Sequence, residues 1–296
     1  LDADLVPSFP LRVPASYLAR MRRQDAADPL LRQVLPLQAE KVKTPGYRAD
    51  ALEEAAATLA PGLIKKYAGR ALLIAAPACA VHCRYCFRRA FPYAEHRFGV
   101  DSAALRALAR DTSISEIILS SGDPLMLKDS QLDKLLTQLE TFVHVRRLRI
   151  HTRLPVVIPS RITKRLVSRL RDSRLRTAFV VHINHPNEID DDLKAALGQL
   201  ADAGIQVLNQ SVLLAGVNDD AATLVALSEG LFAAKVLPYY LHMPDPVTGT
   251  QHFDVSLERA LELYKAMQNA LPGYLLPRLA REVPGADAKQ WLMPTL

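Results

Sequence analysis

The sequence predicts an α/β protein on a parallel sheet, wound open or curled into a complete or partial barrel, with its chemistry at the C-terminal strand ends. Three observations carry this. From about residue 70, short apolar β-rich runs alternate with amphipathic helical stretches, the pattern that right-handed β-α-β crossovers produce. Polar residues of catalytic type recur at the ends of successive strand segments, the face on which barrels keep their active sites. The chain's 3 cysteines, Cys79, Cys83 and Cys86, are confined to one short loop just after the first of those strands.

Taken in order, residues 1 to about 60 are rich in Leu, Ala, Arg and Gln and are punctuated at Pro7, Pro10, Pro14, Pro29, Pro36 and Pro45, which fits short helices. Strands are predicted at 71–76, 116–122, 147–152, 177–184, 205–214 and 235–242, with helices at 101–110, 129–142, 161–171, 188–203 and 219–234. Asp123, His151, Arg153, His182, Asn184, Asn209, Gln210 and His242 each fall at or just past a strand end. One such residue reads as a turn or cap. Recurrence on strand after strand does not, because solvated loops have no reason to place His, Arg and Asn at matching positions. After 245 come "PDPVTGTQHF", one more helix at 256–270 and a tail punctuated by Pro and Gly. The simplest division is a helical N-terminal extension at 1–65, a barrel at 66–245 and a C-terminal segment at 246–296 that completes the site.

An apolar fraction of 49% supports a sizeable core. The longest apolar run, "ALLIAAPACAV", is broken by Pro77 and falls short of the ~20 residues that span a bilayer. No membrane segment and no leader are expected, and the cytoplasm is the expected compartment. Clustered thiols point to a metal centre in a reducing environment and not to disulfides. The net charge of +6 suits an anionic partner, either nucleic acid or small phosphorylated and carboxylated molecules. The densest basic stretch, "HVRRLRIHTR", alternates with apolar residues as a strand does. With no aromatic-basic platform, nucleic acid is not expected.

The cysteine spacing is C-x3-C-x2-C. A structural zinc wants four protein ligands, and His82, the available fourth, adjoins Cys83 and would have to fold back on the turn. A cluster held by four cysteines lacks its fourth. A [4Fe–4S] cluster with three irons held by Cys79, Cys83 and Cys86 and one iron open is the remaining reading.

That spacing, with Tyr85 before the last cysteine, resembles the signature of the radical S-adenosylmethionine enzymes. The resemblance implies a partial (β/α)6 barrel of the radical SAM type. It also implies S-adenosylmethionine on the open iron, met by Ser121, Gly122 and Asp123 of "SSGDP" and by His182. The segments "CRYCFRR", "SSGDPLM", "TRLPVVIPSRIT", "HINHPNEI", "LNQSVLLAGVND", "PYYLHMPDPVTGTQHF" and "GYLLPRLAREVPGADAK" resemble, in order, the lysine 2,3-aminomutase family. "FRRAFPY", "FPLRVPASYLARM" and "DPLLRQVLP" are most similar to its bacterial branch that makes (R)-β-lysine for modification of elongation factor P.

This second resemblance implies pyridoxal phosphate carried by Lys289 and surrounded by Lys66, Tyr67, Asn209 and Gln210. Lys66 stands where the family has Arg, which costs a bidentate fork. Arg88 is implied for the substrate's α-carboxylate, and Asp245 with Glu282 for its distal ammonium; Glu282 replaces an Asp of the catabolic enzymes. In isolation these residues read otherwise: Lys289 as solvated, Arg88 as a surface ion-pair former, Asp245 as a turn cap. The implied reaction converts (S)-α-lysine to (R)-β-lysine. L-lysine, a reductant such as flavodoxin or ferredoxin, and a functional link to elongation factor P and its lysyl ligase are the implied partners. A homo-oligomer is left open. The alternatives are a catabolic lysine 2,3-aminomutase, a radical enzyme acting on RNA or on protein-bound lysine, and a metal-binding scaffold without activity.

Overall fold

In a computed structural model, residues 2–91 and 102–294 are described. Asp101, at the start of one expected helix, and Pro92 and Tyr93 of "FRRAFPY" lie outside them. The ten strands among the described residues form one sheet in sequential order: β1 Thr58–Ala60, β2 Leu63–Tyr67, β3 Arg70–Ile74, β4 Glu116–Ser120, β5 Arg147–Thr152, β6 Arg176–Val181, β7 Gln206–Val212, β8 Leu237–His242, β9 Arg278–Arg281 and β10 Gln290–Trp291. β3 to β9 run parallel; β1–β2, β2–β3 and β9–β10 are antiparallel. Among the described residues β1 and β10 do not pair, so the barrel is partial.

The nine α-helices among the described residues are α1 Ala15–Leu18, α2 Pro29–Arg32, α3 Ala103–Arg110, α4 Asp129–Glu140, α5 Leu154–Val157, α6 Lys164–Arg171, α7 Asp191–Asp202, α8 Ala221–Ala233 and α9 Leu257–Ala270. Apart from α4, whose N-cap is Lys128, the crossover helices begin where a short polar side chain caps them. Ser102 accepts from Leu105 N (3.3 Å), Thr163 from Leu166 N (3.1 Å), Asp190 from Leu193 N (2.8 Å), Asp220 from Thr223 N (2.8 Å) and Ser256 from Arg259 N (3.1 Å).

Alternation drives the strands. In β5 the apolar Leu148 and Ile150 are buried while Arg147 and Arg149 are not, as a half-covered strand requires. The main core joins strand residues such as Leu73, Ile117, Leu119, Phe179 and Val207 to Leu108, Leu136, Leu166, Leu197 and Leu231 of the helices. Tyr17, Leu30 and Val34 of the N-terminal extension belong to the same core. A second cluster, including Leu241, Leu263, Met267, Leu279 and Leu292, fastens α9 to β8 and β9.

The six expected strands and six expected helices all form. The differences lie at the ends of the sheet. β1 and β2 occupy the tail of the expected helical extension, and the division at 65/66 falls inside β2. β9, a seventh parallel strand, lies within the expected C-terminal segment. No helix among the described residues is long and apolar enough to cross a membrane.

Candidate active site at the C-terminal rim of the barrel

The loop after β3 carries three free, partly exposed cysteines. Its backbone is held from the N-terminal extension. Arg12 donates to the Cys79 carbonyl (3.0 Å), His82 N to the Arg12 carbonyl (2.9 Å) and Arg84 N to the Gln33 carbonyl (2.9 Å). Arg84 is wholly buried and grips Glu40 and the Phe9 carbonyl (2.8 Å). His82 faces away from a ligand's position: its Nδ1 lies 2.7 Å from the Pro10 carbonyl and its ring stacks on Phe9 at 4.5 Å. Among the described residues no three Cys, His, Asp or Glu side chains converge on a single ion. Three thiolates that each take a different iron of a cluster do not need to converge. Burial pushes all three thiols up, Cys86 to about 11, so they become ligands only as metal displaces their protons.

The turn after β4 lies directly behind this loop. Ser121 (φ 64°) and Gly122 (φ 68°) are both left-handed, a conformation that costs a non-glycine residue energy and collects at functional sites. A Cβ on Gly122 would collide with the Ala76 carbonyl and stand 3.1 Å from Ala78 N, so only glycine permits this approach. Asp123 N donates to the Ala78 carbonyl (3.0 Å). Ser121 Oγ is buried without a hydrogen-bond partner, which leaves one hydroxyl for a ligand beside the cysteines. The three thiols, the close glycine and this hydroxyl fit a cluster with S-adenosylmethionine.

Asp123 itself is spent on structure. Its carboxylate accepts from Leu125 N (3.0 Å), Thr152 Oγ1 (2.6 Å), Arg153 N (2.8 Å) and Leu154 N (2.8 Å). It ties the turn after β4 to the turn after β5. Removing it strands four buried donors, so Asp123→Ala should lower stability by roughly 3 kcal/mol or more. The check is a lower denaturant midpoint at unchanged m-value.

Arg153, 6% exposed, anchors the loop on its other side. Its guanidinium donates to Tyr85 Oη, Gln33 Oε1 (2.9 Å), Glu188 Oε1 (2.6 Å) and Tyr17 Oη (3.2 Å). Tyr85 sits between two of the cysteines, so this buried charge pair fixes the cluster loop against the extension.

His182 follows β6 and neighbours His151 of β5, with ring centroids 6.0 Å apart. The Gln210 amide donates to His182 Nε2 (2.8 Å) and lies 3.4 Å from His151 Nδ1. Burial pushes His182 down to about 3, with Arg153 and Arg88 adding to the shift. His151 and His242 are also driven well below the ordinary histidine range, by burial first. The site thus holds three neutral imidazoles, and His151 Nε2 is buried without a partner.

The residues expected around pyridoxal phosphate and lysine largely gather in one place. Lys289 Nζ is paired with Glu282 Oε1 and stands 5.6 Å from the Tyr240 ring centre. The Tyr67 hydroxyl donates to Glu282 Oε2. Burial first and Glu282 second raise Asp245 to about 7, with Lys289, Lys66 and Arg88 acting against the shift. Burial also opposes ionisation of Glu282, but Lys289, Tyr67 and Lys66 outweigh it and hold that carboxyl below the usual range. Cationic, anionic and aromatic groups around one lysine fit a phosphorylated aldehyde cofactor and a diamino acid.

Asn209 stands apart from this group. Its amide accepts from Ile183 N (2.8 Å) and donates to the Ile183 carbonyl (3.0 Å). It therefore imitates a strand partner beyond the end of β6. The sequence reading missed Glu54, which is 4% exposed and takes Arg88 Nε at 2.7 Å and Nη2 at 2.6 Å. It also missed Tyr17, Gln33 and Glu188. Their partners lie far off in sequence, and no local spacing signals them.

Residues 73–227 match the Radical SAM superfamily model, and the chain belongs to that superfamily. It is 50% identical to the L-lysine 2,3-aminomutase of Escherichia coli over 95% of this chain and 82% of that protein. The Haemophilus influenzae L-lysine 2,3-aminomutase is 47% identical, with 95% and 84% covered, and that of Clostridium subterminale is 33% identical, with 99% and 71% covered. Within the superfamily the chain belongs to the lysine 2,3-aminomutases, which makes it an isomerase and implies a [4Fe–4S] cluster, S-adenosylmethionine and pyridoxal phosphate. The fold is also that of a radical SAM methyltransferase from Sphaerobacter thermophilus, with a TM-score of 0.54, 17% identity, and 74% of this chain and 68% of that one covered.

Proposed function

We propose that the protein converts (S)-α-lysine to (R)-β-lysine in a reaction dependent on pyridoxal phosphate, and that the product serves the modification of elongation factor P. The observation that carries the chemistry is the pairing of Lys289 with Glu282 beside a buried Asp245 carboxyl that feels the charges of Glu282, Lys289, Lys66 and Arg88, which lies two residues after Cys86. The substrate's carboxylate suits Arg88 and its distal ammonium suits the Asp245–Glu282 pair. When bound, the cluster and S-adenosylmethionine supply a 5′-deoxyadenosyl radical, and pyridoxal phosphate supplies the π system through which the amino nitrogen shifts.

This chain's residues do the positioning. Lys289 holds the cofactor, Tyr67 and Glu282 orient Lys289, and Lys66 with the Gln210 amide offers donors to the phosphate. Cys79, Cys83 and Cys86 hold the cluster, and Ser121 and Gly122 border S-adenosylmethionine beside it. The elongation factor P role is supported by the branch-specific segments and by the higher identity to the Escherichia coli and Haemophilus relatives than to the clostridial one. It places the enzyme in the cytoplasm with a flavodoxin- or ferredoxin-type reductant. The test is an anaerobic assay of the reconstituted enzyme with L-lysine, followed by the mass of elongation factor P in cells with and without the gene. β-Lysine in the assay supports the chemistry; an elongation factor P mass that does not depend on the gene removes the role.

The Asp245 carboxyl gives the reaction a pH signature. It is raised to about 7 by burial and by Glu282, so below that pH it is mostly neutral and attracts an ammonium poorly. A bound ammonium favours the anion, and binding therefore releases a proton. The KM for L-lysine should fall by up to about tenfold per pH unit as pH rises toward 7, then level off. Steady-state kinetics at saturating S-adenosylmethionine read this directly, and a flat KM from pH 5.5 to 8 contradicts it.

A further inference from the structure

Glu54 belongs to the N-terminal extension, yet it ends beside the substrate pocket. It precedes β1 in a tight turn pinned by Asp50, whose carboxylate accepts from Glu54 N (3.1 Å) and Ala55 N (3.4 Å). Thr58 Oγ1 donates to the Glu54 carbonyl at 2.9 Å. One carboxylate then serves two cations. Arg88 donates through Nε and Nη2, and Lys66 Nζ stands 3.6 Å from Oε1. The side chains show a clear order of depth: Glu54 is 5% exposed, Arg88 10% and Lys66 21%. The anion lies behind and the cations lie in front. Burial opposes its charge, but Arg88 and Lys66 outweigh that and hold Glu54 below the usual carboxylate range.

We propose that Glu54 is a positioning residue that holds Arg88 and Lys66 side by side, setting Arg88 to receive the substrate's α-carboxylate. The proposal rests on the reading of Arg88 as the carboxylate anchor. A guanidinium has five donors in a fixed plane, so an anion on its Nε edge fixes the direction of the rest. Without that anion two neighbouring half-buried cations repel each other, and Arg88 loses the carboxylate that takes both its Nε and Nη2. Specificity follows: an enzyme with Arg88 held in place prefers a substrate whose carboxylate is free over one whose carboxyl is an amide.

The test compares kcat/KM for L-lysine with that for L-lysinamide. In Glu54→Gln the preference for L-lysine should fall by about tenfold or more, the scale of one charged hydrogen bond. The loss should appear in the KM for L-lysine, with iron and pyridoxal phosphate content as in wild type. Glu54→Asp keeps the charge but withdraws it by one methylene and should fall in between; it carries the test if the Gln variant does not fold. A wild-type preference in folded Glu54→Asp or Glu54→Gln overturns the proposal. So does a lower KM for L-lysine in Glu54→Gln, which would make Glu54 a competing occupant of the anchor. Arg88→Met separates the two readings. If it keeps the preference, Arg88 is not the carboxylate anchor and the underlying reading fails; if it loses the preference while Glu54→Gln keeps it, only the role of Glu54 fails.

Discussion

Alanine at any one of Cys79, Cys83 and Cys86 is expected to abolish β-lysine formation together with the iron-sulfur absorption. The chain has no fourth cysteine to compensate, and His82, the nearest other donor, is committed to Pro10 and Phe9. The loss should lie well beyond the roughly 10–100-fold typical of residues that only support a metal ligand. The variants should still fold, because the loop's shape does not depend on its thiols. It is set by the backbone bonds to Arg12 and Gln33, by Arg84 on Glu40, and by Arg153 on Tyr85. Circular dichroism like that of wild type, with iron content lost, is the expected pair of results. A variant that retains a cluster and turns over would detach these cysteines from the chemistry.

Lys289→Ala should be equally damaging, but at a different point. The lysine stands between Glu282 and the face of Tyr240, with no second lysine paired to Glu282 among the described residues. Its removal takes away the nitrogen proposed to hold the cofactor and leaves only Lys66 and Arg88 to offset the repulsion between Glu282 and Asp245. Turnover should drop by ~10⁴–10⁶-fold, the scale of removing a covalent catalytic group. Visible absorption by pyridoxal phosphate should disappear while the iron-sulfur absorption and the cleavage of S-adenosylmethionine persist. Loss of both cofactors at once would show that the substitution had collapsed the barrel rim and not a single site.

Much of this was legible in the sequence because the signals are local. β5 follows its alternation from Arg147 to Thr152, and every crossover helix but α4 starts at a Ser, Thr or Asp cap. The cysteine spacing and the Ser121–Gly122 turn are short motifs whose chemistry survives without knowledge of the fold. The missed strands lack such signals: β2 is "LIKKY", with consecutive lysines, and β9 is a four-residue "RLAR" in a tail of prolines. Asn209 was recognisable as a polar residue near a strand end, but nothing local says that its amide closes on Ile183. Glu54 lies in "ALEEAAA", which reads as helix; it forms a turn whose purpose is visible only when Arg88, far along the chain, is beside it. The buried network of Tyr17, Gln33, Arg153 and Glu188 has the same character.

The central claim is that one short loop holds both the radical source and, through Arg88, the carboxylate of the molecule it attacks. The most direct measurement follows hydrogen: the anaerobic enzyme is given L-lysine deuterated at the β-carbon, and the β-lysine formed is examined for the position of the label. Hydrogen taken by the 5′-deoxyadenosyl radical and returned to the α-carbon predicts β-lysine with deuterium at that carbon and deuterated 5′-deoxyadenosine in the mixture. Deuterium lost to water, or β-lysine formed without S-adenosylmethionine, would contradict it.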